Sequence, residues 1–278
     1  MSEVWKPFEE TRRGNMVVAE VRLADVAVHA RLGRRLNVPA ARKLVREFDD
    51  ELAGMLEFAE VDGVLYHLDS RNRVAALRKR GVEVYWGLVH EGLTEARFAD
   101  LMLGRHGARS RVAATGMEEF RYGLLGTAES TAKAVARAAK KHGFVVPEYP
   151  GVERTTAVRC HRALLAACEQ YGEDALAAAF AAVEDVFMQT ELHPQVGAVT
   201  GEFLTALAWF AAEAKAKRTT VAARFRAAGL TASAAVAEAK TRARAAGEGV
   251  NRRPLTRRLR EVFGDAYNGK TWAKGVAA

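Results

Sequence analysis

The spacing of apolar residues changes near residue 115, and that change limits what the chain can fold into. Before it, apolar residues come in short, partly alternating, β-branched runs. "MVVAEVRLADVAVH" (16–29), "MLEFAEVDGVLYHLD" (55–69) and "VEVYWGLVHEGL" (82–93) each have the two-residue period of a strand. Asp62-Gly63 divides the second run into a hairpin, with strands near 56–60 and 64–68. Helical patterns lie between the runs. Asn37 is placed to cap "NVPAARKLVREFDDELAG", with Pro39 in its first turn and Gly54 at its end. Gly81 stops "SRNRVAALRKRG", and Thr94 caps "EARFADLMLGRHG".

From Met117 onward the period is helical throughout and alanine dominates. "TAKAVARAAKKHG", "RTTAVRCHRALLAACEQYG", "EDALAAAFAAVEDVFMQ" and "VGAVTGEFLTALAWFAAEAKAK" are separated by glycine, proline or polar turns. The sequence therefore predicts an α+β chain with two domains, residues 1–115 mixed and 116–278 all helical. No run of about 18 apolar residues occurs, so no membrane span is expected. The first residues, "MSEVWKPFEETRRGN", lack the apolar core of a signal peptide, which predicts a cytoplasmic protein. Cys160 and Cys168 lie eight apart in one helical pattern and are expected as small core residues. His161 beside them matches no common zinc spacing.

Charge is unevenly distributed. The stretch 215–278 holds 15 Lys and Arg against four Asp and Glu, a balance of +11. The preceding residues hold 27 basic and 30 acidic groups, a balance of −3. A basic end of this kind points to a polyanionic partner, DNA first among them; a solvated set of basic helices is the alternative.

One junction in the first domain is chemically unusual. "YHLDSRNRVAALRKRG" (66–81) passes from a strand into a helix through Asp69-Ser70-Arg71-Asn72-Arg73. Arg71 and Arg73 fall in the first turn of that helix, where the helix dipole disfavours positive charge, so an anion is expected to offset the repulsion. A helix N-terminus presents unpaired N–H groups, here from about Ser70 to Arg73, and holds phosphate readily. Arginine adds a planar fork that grips phosphate oxygens. Asp69 is placed either to cap the helix or to approach a metal ion such as Mg2+ bridging phosphates. The alternative is a simple cap, with both arginines paired to surface carboxylates.

The same residues resemble the ParB and sulfiredoxin-like superfamily. There a strand ends in an Asp-Gly-x-His-Arg or Gly-Glu-Arg-Arg corner before an alanine-rich helix. Asp69, Arg73 and Val74-Ala75-Ala76 match the first form, and the flanking segments extend the resemblance over roughly residues 18–115. It is closest to ParB-like proteins of actinobacterial phages. The resemblance implies a ParB/sulfiredoxin-like domain whose corner, Ser70, Arg71, Asn72 and Arg73, binds a nucleoside triphosphate, CTP or ATP. Ser70 stands where the pattern has glycine and Asn72 where it has a histidine or basic residue; the paired arginines of the partition proteins are absent.

Other chemistry is sparser. His67, two residues before Asp69 on a strand, is expected on the same face and is a candidate general base. Glu57 and Glu60 are expected near the same cleft, and Arg105, Arg109 and Arg111 in "GRHGARSR" form a second candidate anion loop. No nucleophile elbow, Walker loop or His-Glu-x-x-His occurs, and no carboxylate cluster suits a two-metal nuclease.

The basic end carries the candidate nucleic-acid contacts. Two helices joined by "AGLT" are helix–turn–helix-like, with an ordinary helical hairpin as the alternative. The second carries Lys240, Arg242 and Arg244, and "NRRPLTRRLR" adds Arg252, Arg253, Arg257, Arg258 and Arg260. Three functions are therefore expected: a phage-type ParB-like DNA-binding protein, a nucleotide-dependent phosphotransferase or NTP hydrolase, or an interaction module acting on a host factor. A homodimer is compatible with each.

Overall fold

The computed structural model describes residues 4–48, 54–106, 114–150, 156–187, 199–214 and 218–270. The chain is α+β, with a five-stranded mixed sheet and a larger helical part. It divides into two compact units. One runs to Ala114 and takes in Arg121–Glu129; the other comprises Thr115–Phe120 and the chain from Ser130.

The first unit holds β1 (Trp5–Pro7), β2 (Met16–Arg22), α1 (Val38–Glu47), β3 (Leu56–Val61), β4 (Val64–His67), α2 (Arg71–Lys79), β5 (Val84–Leu93) and α3 (Glu95–His106). The strand order is β1-β2-β5-β3-β4, antiparallel except for the parallel β3–β5 pair. Strand alternation sorts the side chains onto two faces. Val17, Val21, Leu56, Phe58, Leu65 and Val89 face one core, which Val74 and Leu77 of α2 complete. Ala59, Val61 and Leu93 face a second core with Phe98, Ala99 and Met102 of α3. Each such Val, Leu or Phe contributes about 1.5–3 kcal/mol on burial. Gly87 of β5 lies directly under Phe58, where a Cβ would come within 2.4 Å of the ring.

Local signals act as the sequence predicts at several ends. Asn37 Oδ1 accepts from Ala40 N at 3.1 Å, and Thr94 Oγ1 accepts from Arg97 N at 3.2 Å. Asp62 (φ 51°) and Gly63 (φ 77°) both take the left-handed backbone of the expected hairpin turn. The long first strand expected over 16–29 is shorter. It ends at Arg22, and a single 3-10 turn, Leu23–Asp25, redirects the chain so that Ala27 pairs with the outer edge of β4. Edge pairing of Ala27 competes with strand continuation and wins. The helix expected to close at Gly54 ends at Glu47, and residues 49–53 lie outside the described residues.

The helix α4 (Gly116–Leu125) is followed by α5 (Thr131–Lys141), α6 (His161–Tyr171), α7 (Glu173–Ala182), α8 (Gly201–Ala214), α9 (Arg218–Ala228), α10 (Ala232–Ala245) and α11 (Arg252–Tyr267). α7 is buried on nearly every side, from Ala175 to Ala182, which explains its uniformly apolar sequence. Ala232, Ala235, Ala239 and Ala243 form the buried stripe of α10, which packs against α11. The helix expected before His161 is absent over residues 156–160. Val145 N donates to Thr156 O and Val158 N to Val145 O, so that segment is held extended. Cys160 and Cys168 are free thiols; burial pushes Cys160 up to about 12. Among the described residues no helix is long and apolar enough to cross a membrane.

Candidate functional site

The corner is built by the end of the β3–β4 hairpin. β4 stops at His67, and the N–H groups of Leu68 and Asp69 both point to Glu57 O, at 3.1 and 3.4 Å. That pairing turns the chain off the sheet, and α2 starts at Arg71 with Ser70 as its N-cap residue. No side chain caps this helix and no acidic residue lies in its first turn. The positive end of the dipole is therefore left to Arg71, Asn72 and Arg73.

These three residues have different fates. Arg73 folds back over the strand, donating to Met55 O at 3.2 Å and Asp69 O at 2.6 Å. Asn72 Oδ1 accepts from Asn37 N at 3.0 Å and ties α1 to α2. Arg71 is half-buried, and burial lowers its pKa, yet no hydrogen bond or ion pair engages it among the described residues. A partly desolvated cation at an uncapped helix N-terminus is the arrangement that an oxyanion would complete.

The two residues expected to do proton chemistry have different surroundings. The strand ends at His67, so its alternation does not extend to Asp69. The His67 ring lies against Phe58, and its Nδ1 is 3.0 Å from Ser70 Oγ. Burial first, then the charges of Arg78 and Arg71, push its pKa down to about 4. His67 is thus a neutral brace for Ser70, itself buried, and a poor base at neutral pH. Asp69 is not the cap. Its carboxylate is exposed and accepts no hydrogen bond among the described residues.

The carboxylates of β3 also have structural duties. Glu60 accepts from Gly63 N at 2.7 Å and Gly92 N at 2.6 Å, holding the hairpin turn and the end of β5. Glu57 points to the sheet face opposite His67 and pairs with Arg105 at 3.0 Å. Arg105 is thereby committed, while Arg109 and Arg111 lie outside the described residues. Among the described residues no group of three or more His, Cys, Asp and Glu is placed to hold a metal ion.

At the basic end, packing separates the eight candidate cations into two sets. α9 and α10 both lie against α11. Arg242 of α10 donates to Glu238 Oε1 at 2.9 Å and to Asp265 Oδ2 of α11 at 2.6 Å. Arg258 donates to Glu248 at 2.8 Å and Glu261 at 2.8 Å, and Arg257 also pairs with Glu248. Arg260 donates to Tyr171 Oη at 2.7 Å and stacks its guanidinium on Trp209, 4.7 Å from the ring centre. Arg242 and Arg260 join helices, while Arg257 and Arg258 tie α11 to Glu248 in the connection that precedes it. Lys240, Arg244, Arg252 and Arg253 are exposed and make no ion pair among the described residues. Arg226 on α9 is exposed likewise, although its sequence context had not marked it. Trp86 was equally unmarked, and its large ring stands exposed on β5; its one signal was an aromatic residue on the polar phase of an alternating strand.

Comparison with family models, curated proteins and solved structures finds no match to this chain.

Proposed function

We propose that the chain is a ParB-like protein that binds nucleic acid through its basic C-terminal helices and holds a nucleotide phosphate at the α2 corner. One observation carries the first half. All four carboxylates after residue 215, Glu238, Glu248, Glu261 and Asp265, are bound by arginine or lysine of the same segment. Among the described residues, Arg226, Lys240, Arg244, Arg252 and Arg253 are left facing solvent without an ion pair. Such groups grip phosphates without reading sequence and release condensed counterions as they do so.

The unpaired Arg71 at the uncapped end of α2 supports the second half. Bound nucleotide without turnover is favoured over phosphotransfer, since His67 is neutral and committed to Ser70.

The test is duplex-DNA binding by fluorescence anisotropy over a range of salt. Replacing Lys240, Arg244, Arg252 and Arg253 together with alanine should lower the slope of log K against log salt by up to about 0.9 for each phosphate no longer neutralised, about 3.6 in all. Arg73→Ala should leave the slope unchanged. A wild-type slope near zero, or a quadruple variant that binds like wild type, refutes the DNA assignment.

A further inference from the structure

The near-neutral balance of the first unit hides a strong internal separation of charge. Residues 31–48 hold six Lys and Arg against one acid, Glu47, and residues 70–81 hold five against none, together a balance of +10. All other residues up to Ala114 hold eight basic and 16 acidic groups, a balance of −8. Folding brings the two basic stretches side by side. α1 packs on α2, the Asn72 side chain holds the Asn37 N–H at one end, and Arg80 lies over the Phe48 ring, 5.4 Å from its centre, at the other.

Helical period decides which way the charges of α1 face. Ala41, Leu44, Val45 and Phe48 recur at spacings of three and four and form the inward stripe, with Ala41 buried and the others half-buried. Arg42, Lys43 and Arg46 fall on the other side and are exposed, as is Arg35 just before the helix. Arg35, Arg42 and Arg46 make no ion pair among the described residues. Lys43 meets Glu47 at 3.7 Å, but both are exposed and such a pair is weak. The helix dipole accounts for Arg46, in the last turn of α1, and for Arg80 at the end of α2. It does not account for Arg35, which precedes the Asn37 cap, where positive charge is disfavoured.

We propose that the outward side of α1, with Arg35, Arg42, Lys43 and Arg46, and Arg80 at its end, is a second nucleic-acid surface that grips the phosphates of duplex DNA. Arginine forks match phosphate oxygens, and unpaired cations release condensed counterions when they meet them. An anionic lipid surface fits less well, because insertion needs apolar side chains on the outward side. That side carries Pro39, Arg42, Lys43, Arg46 and Glu47; Val38 continues the inward stripe and Leu36 precedes the helix. The inference rests on the reading that this chain binds nucleic acid and adds to it a surface on the first unit.

Anisotropy titrations of duplex DNA with the full chain, over a range of salt, test it. The triple variant Arg35→Gln, Arg42→Gln, Arg46→Gln should bind more weakly and lower the slope of log K against log salt by up to about 0.9 per contact, about 2.7 in all. The same three positions changed to Lys should keep the wild-type slope. The C-terminal quadruple alanine variant should retain a salt-dependent residue of binding that disappears when the triple is added. A control that removes three exposed cations elsewhere in the unit, Lys6→Gln, Arg13→Gln, Arg22→Gln, should leave the slope unchanged. A triple variant with wild-type affinity and slope, or a control that loses as much, refutes the α1 surface; the C-terminal assignment then stands if the quadruple variant loses its slope. A triple variant that keeps DNA binding but abolishes wild-type binding to phosphatidylserine vesicles refutes it in favour of a membrane. A wild type that binds no DNA refutes both surfaces.

Discussion

His67 gives the sharpest test of how the corner is built. In the unfolded chain its pKa is about 6.5, and in the folded protein burial and the nearby Arg78 and Arg71 push it down to about 4. The sign follows from proton counting. Between these two values the unfolded state binds more protons than the folded one, so stability falls as pH falls through that window. Above about 6.5 the ring is neutral in both states and contributes no pH dependence. At pH 4.5 the linkage amounts to about 2.5 kcal/mol lost relative to pH 7.5, from a ring that is largely charged when unfolded and mostly neutral when folded. His67→Gln removes the titrating group and keeps a polar side chain within reach of Ser70. Urea unfolding of both proteins at the two pH values isolates the effect, because the half-buried His29, the buried His90 and the paired carboxylates titrate alike in each. Wild type should lose about 2.5 kcal/mol more than the variant on acidification. An equal loss, or an NMR titration midpoint for His67 near 6.5, would refute the neutral brace and reopen His67 as a base.

Two further outcomes follow from packing. Arg242→Ala should cost about 1 kcal/mol by freeing Glu238 and Asp265 from the α10–α11 clamp, yet barely alter the salt slope of DNA binding; a stable variant with a reduced slope would place Arg242 on the nucleic acid instead. Gly87→Ala should destabilise the chain by about 1–3 kcal/mol in thermal unfolding, because its Cβ meets the buried Phe58 ring. A Gly87→Ala protein as stable as wild type would show that the Phe58 ring yields freely and that β3 and β5 are not tightly pressed at that point.

Signals that span three or four residues were legible in the sequence. Asn37 and Thr94 accept from N–H groups three residues on, and Asp62-Gly63 makes its turn from its own backbone preference. Gly81 ends α2 as expected, and the alanine stripe of α10 sits at helical spacing. Each depends only on neighbours along the chain, so composition and period were enough. The mixed first half and helical second half were legible for the same reason.

Tertiary structure alone decided what the side chains do. The sequence carried the alternation of β4 on to Asp69, but the strand ends at His67, and Glu57 O takes the N–H groups of Leu68 and Asp69. The sequence treated eight C-terminal cations alike, yet Arg242 finds Asp265 23 residues away and Arg260 finds Tyr171 89 residues away. Trp86 owes its place to the parallel β3–β5 pairing and to Phe8, whose stacking depends on the β1–β2 register. In each case the partner is remote in sequence, and only chain packing sets the distance over which charge, hydrogen bonding and ring stacking act.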